Sequence, residues 1–193
     1  MVYNMKSITV YLGAKKGHND SLKREAQVLG RLIAVSGYRL IYGGGSQGLM
    51  GILAQTAMAH GGQVTGIIPK HLIQQEKPFS HLDQLIITET MQERKQLMEQ
   101  KGDGFIIMPG GIGTLEETFE VWNTIKIGLL NKPIGFLNVE GYFDELFTFI
   151  NSCVKRGLIS AHHAKIPSVS ADPESLLNEL TKHERFISQE ELV

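Results

Sequence analysis

Short apolar runs alternate with longer stretches in which apolar residues recur every three or four positions. The short runs are rich in Val, Ile and Leu and are apolar on both faces. This is typical of parallel strands that helices cover on both sides of a sheet. Six runs are predicted as strands: residues 7–13, 39–42, 63–68, 84–88, 104–108 and 133–138.

The longer stretches have the periodicity and the end signals of helices. Gly37, Gly61 and Gly102 are predicted to end three of them as left-handed residues, and Asp172 with Pro173 predicts the start of a last helix, which runs to about residue 182. The other predicted helices are residues 21–36, 49–60, 91–100, 114–130 and 142–156. The alternation predicts an α/β fold with a parallel sheet and helices on both faces.

No linker interrupts this alternation, and 193 residues with 42% hydrophobic side chains suit one core better than two. We therefore predict a single domain over residues 1–193, with a core from about 7 to 183 and a polar tail over 184–193. The longest break in the rhythm is the segment 69–83, and loops of that length are often functional.

Charge and cysteine content narrow the function classes. A net charge of -1 without a basic run argues against a nucleic acid polymer as partner. The single cysteine, Cys153, excludes an intramolecular disulfide, and the adjacent His162 and His163 lack an acid at ligand spacing, so no metal site is predicted. Without an 18-residue apolar run or a signal-peptide pattern, we expect a cytoplasmic protein with no membrane partner.

Gly43, Gly44 and Gly45 open a turn with G-x-G-x-x-G spacing between the second predicted strand and a helix. Glycines there let backbone N–H groups approach a phosphate at the helix N-terminus. A dinucleotide site also needs an acid roughly 20 positions further on, and the first acid after the next strand is Glu76. The turn thus favours contact with a phosphate or ribose over NAD, the alternative being a tight turn with close helix packing.

A second glycine turn, residues 109–117 (PGGIGTLEE), follows the fifth predicted strand. Its glycines free backbone donors at the start of a helix, and Thr114 is predicted to cap that helix. Thr114 and Glu117 have the T-x-x-E spacing of a capping box. Glu117 is therefore either a capping residue or a catalytic carboxylate.

Arg94 and Lys95 lie near the start of a predicted helix, where the macrodipole disfavours cations. Together with Met91 and Met98 they occupy one helix face. The pair predicts an anion nearby, and the alternative is a solvated charged pair on a surface helix.

Four segments in this order and spacing, YGGGSQGLMG (residues 42–51), IPKHL (68–72), M-x-x-RK (91–95) and PGGIGTLEE (109–117), resemble the LOG family. Its members are cytokinin riboside 5′-monophosphate phosphoribohydrolases, often mislabelled lysine decarboxylases. The resemblance covers about residues 8 to 153, and PGG-x-GT-x-x-E is its most specific part.

The resemblance implies a single-domain, Rossmann-like, doubly wound nucleotide-binding fold that forms a homodimer. It also implies hydrolysis of a nucleoside 5′-monophosphate to free base and ribose 5-phosphate without metal or organic cofactor. Arg94 and Glu117 are implied as the catalytic pair. The residues implied to bind substrate are Glu76, Lys95, Gly110, Gly111, Gly113, Thr114 and Glu116, and to these we add Gly43, Gly44, Gly45, Met91 and Asn123 as predictions.

The chain departs from the family pattern at three places. Residues 12–17 read LGAKKG instead of C-G-S-S-x-G, so both serines are lost and Lys15 and Lys16 are predicted to substitute for them. Ile112 replaces a frequent tyrosine. Asn123, beside Trp122, stands where plant-like members have threonine, so the base can differ; the candidates are an N6-substituted, cytokinin-type AMP and plain AMP.

Two other functions compete with the hydrolase. The first is a non-catalytic nucleotide or molybdenum-cofactor binding or carrier protein of the same fold, and the presence of both Arg94 and Glu117 argues against it. The second is a decarboxylase, which would need pyridoxal phosphate on a lysine, and no surrounding pattern commits a lysine to that role.

Overall fold

One seven-stranded sheet organises the protein. The computed structural model describes residues 5–15, 17–18 and 20–182; the predicted tail lies outside them. All neighbouring strands pair in parallel, in the order β4-β3-β2-β1-β5-β6-β7. The strands are β1 Ser7–Tyr11, β2 Arg39–Tyr42, β3 Val64–Pro69, β4 Gln84–Thr88, β5 Gly104–Ile107, β6 Ile134–Leu137 and β7 Ser168–Ser170.

Helices connect these strands across both faces of the sheet. They are α1 Asp20–Val35, α2 Gly48–Ala59, α3 Ile73–Glu76, α4 Met91–Lys101, α5 Ile112–Lys126, α6 Asp144–Lys155, α7 Ala161–Ala164 and α8 Pro173–Thr181. Two 3-10 turns, Lys70–Leu72 and Val139–Gly141, complete the description. The predicted α/β fold, doubly wound and parallel, is confirmed. Within the described residues, no helix is long and apolar enough to cross a membrane.

Side-chain alternation along the strands divides the core into two layers. In β1, Ile8 and Val10 pack with the layer under α1, α2 and α8, whereas Tyr11 packs with the layer under α4, α5 and α6. In β5, Ile106 joins the first layer and Phe105 joins the second. Both faces are therefore apolar, which explains the continuous apolar runs in the sequence.

The strand order places a crevice at the middle of the sheet. The chain builds outward from β1 to β4 and then returns to place β5 on the other side of β1. Connections after β1 and β5 therefore leave in opposite directions, and the carboxyl ends of these two strands form a topological switch point, where open α/β sheets bind ligands.

Several local predictions were wrong. Gly37 and Gly61 do have left-handed φ angles of 77° and 74°, but Gly102 has φ -77°. A Cβ at Gly102 would lie 2.2 Å from Thr9 Oγ1, so the strand next to it requires the glycine. The three-residue β7 was missed, because a short edge strand with polar ends has no apolar run. The segment 69–83 contains a 3-10 turn and α3 instead of a plain loop.

The observed start of α5 differs from the predicted one, and this difference changes the interpretation of Thr114 and Glu117. The helix begins at Ile112, with Gly111 as N-cap, and no side chain of the described residues caps it. Thr114 is therefore inside the first turn and Glu117 inside the second. The predicted capping box is wrong, because Thr114 does not occupy the N-cap position that a capping box requires.

Candidate active site

A cleft of about 510 Å³ lies at the switch point. Its walls are the turn after β1, the turn after β2, α4 and the start of α5. Predicted site residues that line it are Gly43, Glu76, Met91, Arg94, Gly110, Gly111, Gly113, Thr114, Glu116 and Glu117. Ten of the predicted positions, up to 74 residues apart in sequence, thus share one cavity.

Arg94 is anchored by the backbone of two strand ends. Its Nε donates to the Ile67 carbonyl oxygen at 3.2 Å, and its Nη2 donates to the Gly43 carbonyl oxygen at 3.5 Å. The residue is 6% exposed. Its Nη1 lies 3.6 Å from Glu117 Oε1 and donates to Met91 Sδ at 3.8 Å. The guanidinium is held rigidly with one edge directed towards Glu117.

Gly43 makes this position of Arg94 feasible. A Cβ at residue 43 would lie 2.1 Å from Arg94 Nη2 and 3.0 Å from Met50 Sδ. Such a contact is far inside van der Waals distance, so any side chain would displace the guanidinium. The first glycine of the turn is therefore required for arginine packing, in addition to any ligand contact.

Glu117 is a buried carboxylate, 8% exposed, in the second turn of α5. Burial raises its pKa to about 7, although the neighbouring Arg94 lowers it, and the charges of Glu116 and Glu76 raise it further. A buried charge is costly unless it is paired, and the ion pair with Arg94 offsets only part of this cost, since burial still raises the pKa. Such perturbed carboxylates in clefts are typical of functional sites.

The N-terminus of α5 opens into the cleft. Gly111 and Gly113 are exposed, and a Cβ at either would meet nothing within 4 Å. Gly110 differs, because a Cβ there would lie 2.2 Å from Thr114 Oγ1 and 2.8 Å from the Gly13 nitrogen. Gly110 thus packs the two turns together, while Gly111 and Gly113 leave backbone N–H groups accessible to an anion.

Glu76 is brought to the cleft by the short helix α3. The Ser46 N–H donates to the Glu76 carbonyl oxygen at 3.0 Å, which ties α3 to the glycine turn, and a Cβ at Gly45 would lie 3.2 Å from Glu76 Oε2. Burial raises the pKa of Glu76, while Arg94 lowers it. Among the described residues its buried Oε2 has no hydrogen-bond partner, so it is an acceptor that a ligand hydroxyl can satisfy.

Three tyrosines near the cleft were missed by sequence reasoning. Tyr142 donates from its hydroxyl to the Gly110 carbonyl oxygen at 2.7 Å and supports the second glycine turn. Tyr11 lines the cleft, and burial together with the Glu117 charge raises its pKa. The buried Tyr42 hydroxyl, whose pKa is raised by burial and by Glu76, finds no hydrogen-bond partner in the described part of the chain. Tyr11 and Tyr42 end strands and Tyr142 follows a 3-10 turn, and none of these positions gave a sequence signal beyond core packing.

Four predicted positions lie outside the cleft lining. Lys95 forms ion pairs with Glu116 and Glu120 on α5. Gly44, with φ 84°, packs on Ile67 and Ile68, and Gly45 packs on Glu76. Asn123, together with Trp122, lines a separate cavity of about 630 Å³, formed mainly by α5 and the residues that connect α6 to α7.

Gly13 and Ala14 of the altered first turn contact the two glycine turns, whereas Lys16 lies outside the described residues. The Gly13 N–H donates to the Pro109 carbonyl oxygen at 3.2 Å, and a Cβ at Gly48 would lie 2.0 Å from the Ala14 carbonyl oxygen. Lys15 is exposed at the rim of the cleft and forms no ion pair with the described residues. No group of His, Cys, Asp or Glu within residues 5–15, 17–18 and 20–182 could hold a metal ion.

Comparisons with known proteins identify the family of this chain. A family model described as possible lysine decarboxylase matches residues 50–180. The cytokinin riboside 5′-monophosphate phosphoribohydrolase of Mycobacterium tuberculosis is 41% identical over 154 residues, covering 80% of this chain and 82% of that protein. One from Arabidopsis thaliana is 38% identical over 188 residues, covering 95% and 88%.

Solved structures give the same fold at lower identity. The molybdenum cofactor carrier protein from Chlamydomonas reinhardtii superposes with a TM-score of 0.67 at 23% identity, over 91% of this chain and 98% of that one. The molybdenum cofactor binding protein from Rippkaea orientalis gives a TM-score of 0.66 at 23% identity, over 91% and 96%. At this identity the likeness concerns the fold alone. The family model and the closely similar relatives together establish that this chain belongs to the LOG family.

Proposed function

We propose that the protein hydrolyses the N-glycosidic bond of a purine nucleoside 5′-monophosphate and releases the free base and ribose 5-phosphate. The substrate is AMP or an N6-substituted, cytokinin-type AMP. The observation that carries the proposal is the buried pair of Arg94 and Glu117, with Nη1 and Oε1 3.6 Å apart, beside an open helix N-terminus. The names of the two relatives support the same reaction.

In this reaction positive charge develops on the ribose ring as the bond to the base breaks. A fixed carboxylate at Glu117 stabilises that charge, and its pKa of about 7 suits it to accept a proton from the attacking water at neutral pH. Water adds to C1′ while the electron pair of the broken bond leaves with the base, which takes up a proton. Arginine side chains are poor bases in proteins, so Arg94 acts as an electrostatic and orienting group.

The remaining groups of the site bind different parts of the substrate. Backbone N–H groups at Gly111 and Gly113 bind the phosphate at the N-terminus of α5, and Lys15 adds a positive charge at the rim. Glu76 accepts hydrogen bonds from the ribose hydroxyls through the oxygen that lacks a partner in the described chain. A pyridoxal phosphate enzyme would instead need a lysine held inside the cleft to form a Schiff base. Lys95 is engaged by two glutamates, and Lys15 is exposed at the rim.

We also propose that the protein is a homodimer in the cytoplasm. The apolar cavity around Trp122 and Asn123 offers a second face that a partner subunit can cover. Size-exclusion chromatography with light scattering should give twice the 21.4 kDa of one chain. A mass of one chain across the accessible concentration range would contradict the dimer.

A substrate panel tests the function. Purified protein is incubated with AMP, N6-substituted AMP, a pyrimidine monophosphate and adenosine, and free base is measured by chromatography. We expect release from the purine monophosphates and little from adenosine, which lacks the phosphate. L-lysine with pyridoxal phosphate forms a further arm, in which carbon dioxide release would contradict the hydrolase. Tight binding of nucleotides with no release of base would instead identify the non-catalytic binder.

A further inference from the structure

We propose that the hydroxyl of Tyr142 positions the second glycine turn for phosphate by fixing the peptide group between Gly110 and Gly111. In this role Tyr142 is a positioning residue, and it sets how tightly the site holds a phosphate. The inference rests on the proposed function and concerns the same site. Tyr142 lies outside the four segments that carry the family resemblance.

The hydroxyl of Tyr142 contacts the glycine turn at one backbone atom. It donates to the Gly110 carbonyl oxygen at 2.7 Å, the usual length of an O–H···O hydrogen bond. Tyr142 lines the cleft and is 50% exposed, so burial alone does not hold its ring in this place. The contact therefore depends on the local backbone that carries the tyrosine.

The turn after β6 supplies that backbone. Glu140 and Gly141 have left-handed φ angles of 50° and 73°, and a non-glycine residue in this region is strained. The Phe143 N–H donates to Asn138 Oδ1 at 2.7 Å and closes the turn on both sides of Tyr142. Because β6 pairs with β5, the turn after β6 lies next to the glycine turn that follows β5.

The geometry of a peptide group converts this contact into the direction of a donor. A trans peptide group is planar, and its C=O and N–H point in opposite directions. The Gly110 oxygen and the Gly111 N–H belong to one such group, so a hydroxyl that holds the oxygen on one side directs the N–H to the other. Glycines restrict the rotation of this group little, so an external contact is needed to fix it. The hydrogen bond also polarises the group and strengthens the N–H as a donor.

The neighbouring peptide groups of the turn are fixed through their oxygens as well. The Pro109 carbonyl oxygen accepts from the Gly13 N–H at 3.2 Å, and the Gly111 carbonyl oxygen accepts from the Leu115 N–H at 3.1 Å. Three consecutive carbonyl oxygens are thus engaged, and of these only the Gly110 oxygen is held by a side chain. Within the described residues the Gly111 N–H has no acceptor, so it can donate to an anion.

The test measures phosphate affinity in Tyr142→Phe, which keeps the ring and loses the hydroxyl. We expect KM for AMP to rise about 3- to 10-fold, as for the loss of one hydrogen bond, with kcat within about 2-fold of wild type. The inhibition constant of inorganic phosphate, as a competitor of AMP, should rise by the same factor. The inhibition constant of adenosine, which lacks the phosphate, should not change.

Nuclear magnetic resonance separates positioning from direct contact between the hydroxyl and phosphate. In isotope-labelled protein without ligand, Tyr142→Phe should shift the signals of the Gly110 carbonyl carbon and the Gly111 amide nitrogen. A raised phosphate inhibition constant without these shifts would make the hydroxyl a ligand of the phosphate and overturn the proposal. Unchanged KM for AMP and unchanged inhibition by phosphate would overturn it equally.

Two further variants complete the test. Tyr38→Phe is the matched control and should keep all wild-type constants, because Tyr38 precedes β2 and lies at the opposite end of the strands from the cleft. Asn138→Ala loosens the turn that carries Tyr142 and should also weaken inhibition by phosphate. Thermal unfolding confirms that each variant folds; if Tyr142→Phe does not, Asn138→Ala decides, and unchanged phosphate inhibition there would contradict the proposal.

Failure of this proposal and failure of the proposed function give different results. Wild-type protein that releases base from no nucleotide refutes the function, and calorimetric titration with AMP then replaces KM in the comparison with Tyr142→Phe. Wild-type protein that hydrolyses AMP, with Tyr142→Phe unchanged in KM and in phosphate inhibition, refutes only the role of Tyr142.

Discussion

Glu117 reaches its position at a measurable cost in stability. Burial raises its pKa from 4.5 to about 7, so the folded protein binds this proton more tightly than the unfolded chain does. The favourable contribution is fully present below about pH 4.5 and is lost as pH rises to about 7. The loss is at most roughly 3 kcal/mol in the free energy of unfolding.

Denaturant unfolding of wild type and Glu117→Gln between pH 4.5 and 8 measures this contribution. We expect the difference between the two free energies to shift in favour of Glu117→Gln as pH increases through this range. The difference isolates Glu117, because all other titrating groups are common to both proteins. Parallel stability curves would show that the carboxylate is not buried as described.

Lys15 gives a second prediction for a single residue. It lines the cleft without an ion-pair partner among the described residues, so a bound phosphate is its natural counter-charge. Lys15→Met should raise KM for AMP by roughly 3- to 10-fold, with kcat nearly unchanged and with a smaller effect at high salt. Lys15→Arg should retain the wild-type KM. An unchanged KM in Lys15→Met at low salt would remove Lys15 from the phosphate site.

At the level of residues, the sequence predicted which residues lie at the site better than it predicted what each of them does there. The motif around Glu117 pointed to a candidate acid, but the T-x-x-E spacing also predicted a capping box that the structure contradicts. Lys95 and Glu116 were predicted to bind substrate, which stays a prediction, and the structure shows that they also form an ion pair with each other. Which partner a long charged side chain takes depends on the approach of α4 to α5, and that approach is a tertiary property absent from local sequence.

At the level of elements, the turn between β2 and α2 supports the guanidinium of Arg94. A side chain at Gly43 would occupy the space of Nη2, 2.1 Å away. We therefore expect Gly43→Ala to displace Arg94 and to lower kcat/KM on the order of 100-fold. Thermal unfolding should also show a lower Tm.

A double-mutant cycle separates this contact from a general defect of the turn. Gly43→Ala should cost less stability in an Arg94→Ala background, since the group that it displaces is gone. Equal losses in both backgrounds would place the damage elsewhere, for example at Met50, whose Sδ lies 3.0 Å from the same Cβ position.

Element boundaries followed from sequence where a strong local signal existed. The strands Arg39–Tyr42 and Gln84–Thr88 were predicted with the bounds that the structure gives. The start of α5 was placed two residues late, because Thr114 is a good capping residue and Gly111 carries no side chain. The strand Ser168–Ser170 was missed because its pairing with β6, and not its composition, makes it a strand.

At the level of the whole molecule, the alternation of apolar runs predicted the layered α/β fold and directed attention to the carboxyl ends of the strands. The sequence could not show that β1 and β5 are neighbours, and this pairing brings Gly13 next to Gly110. Nor could it show that Asn123 lies in a different cavity from Glu117. The strand order brings the separate motifs together at the switch point, where they form one site.

The most direct test of the central claim is the identity and rate of the products formed from AMP by wild type and by Glu117→Gln. We predict adenine and ribose 5-phosphate in equal amounts from wild type, without adenosine or inorganic phosphate. Glu117→Gln should retain the fold and release adenine on the order of 100-fold more slowly or less. Formation of adenosine and phosphate, or equal release of adenine by the two proteins, would contradict the account.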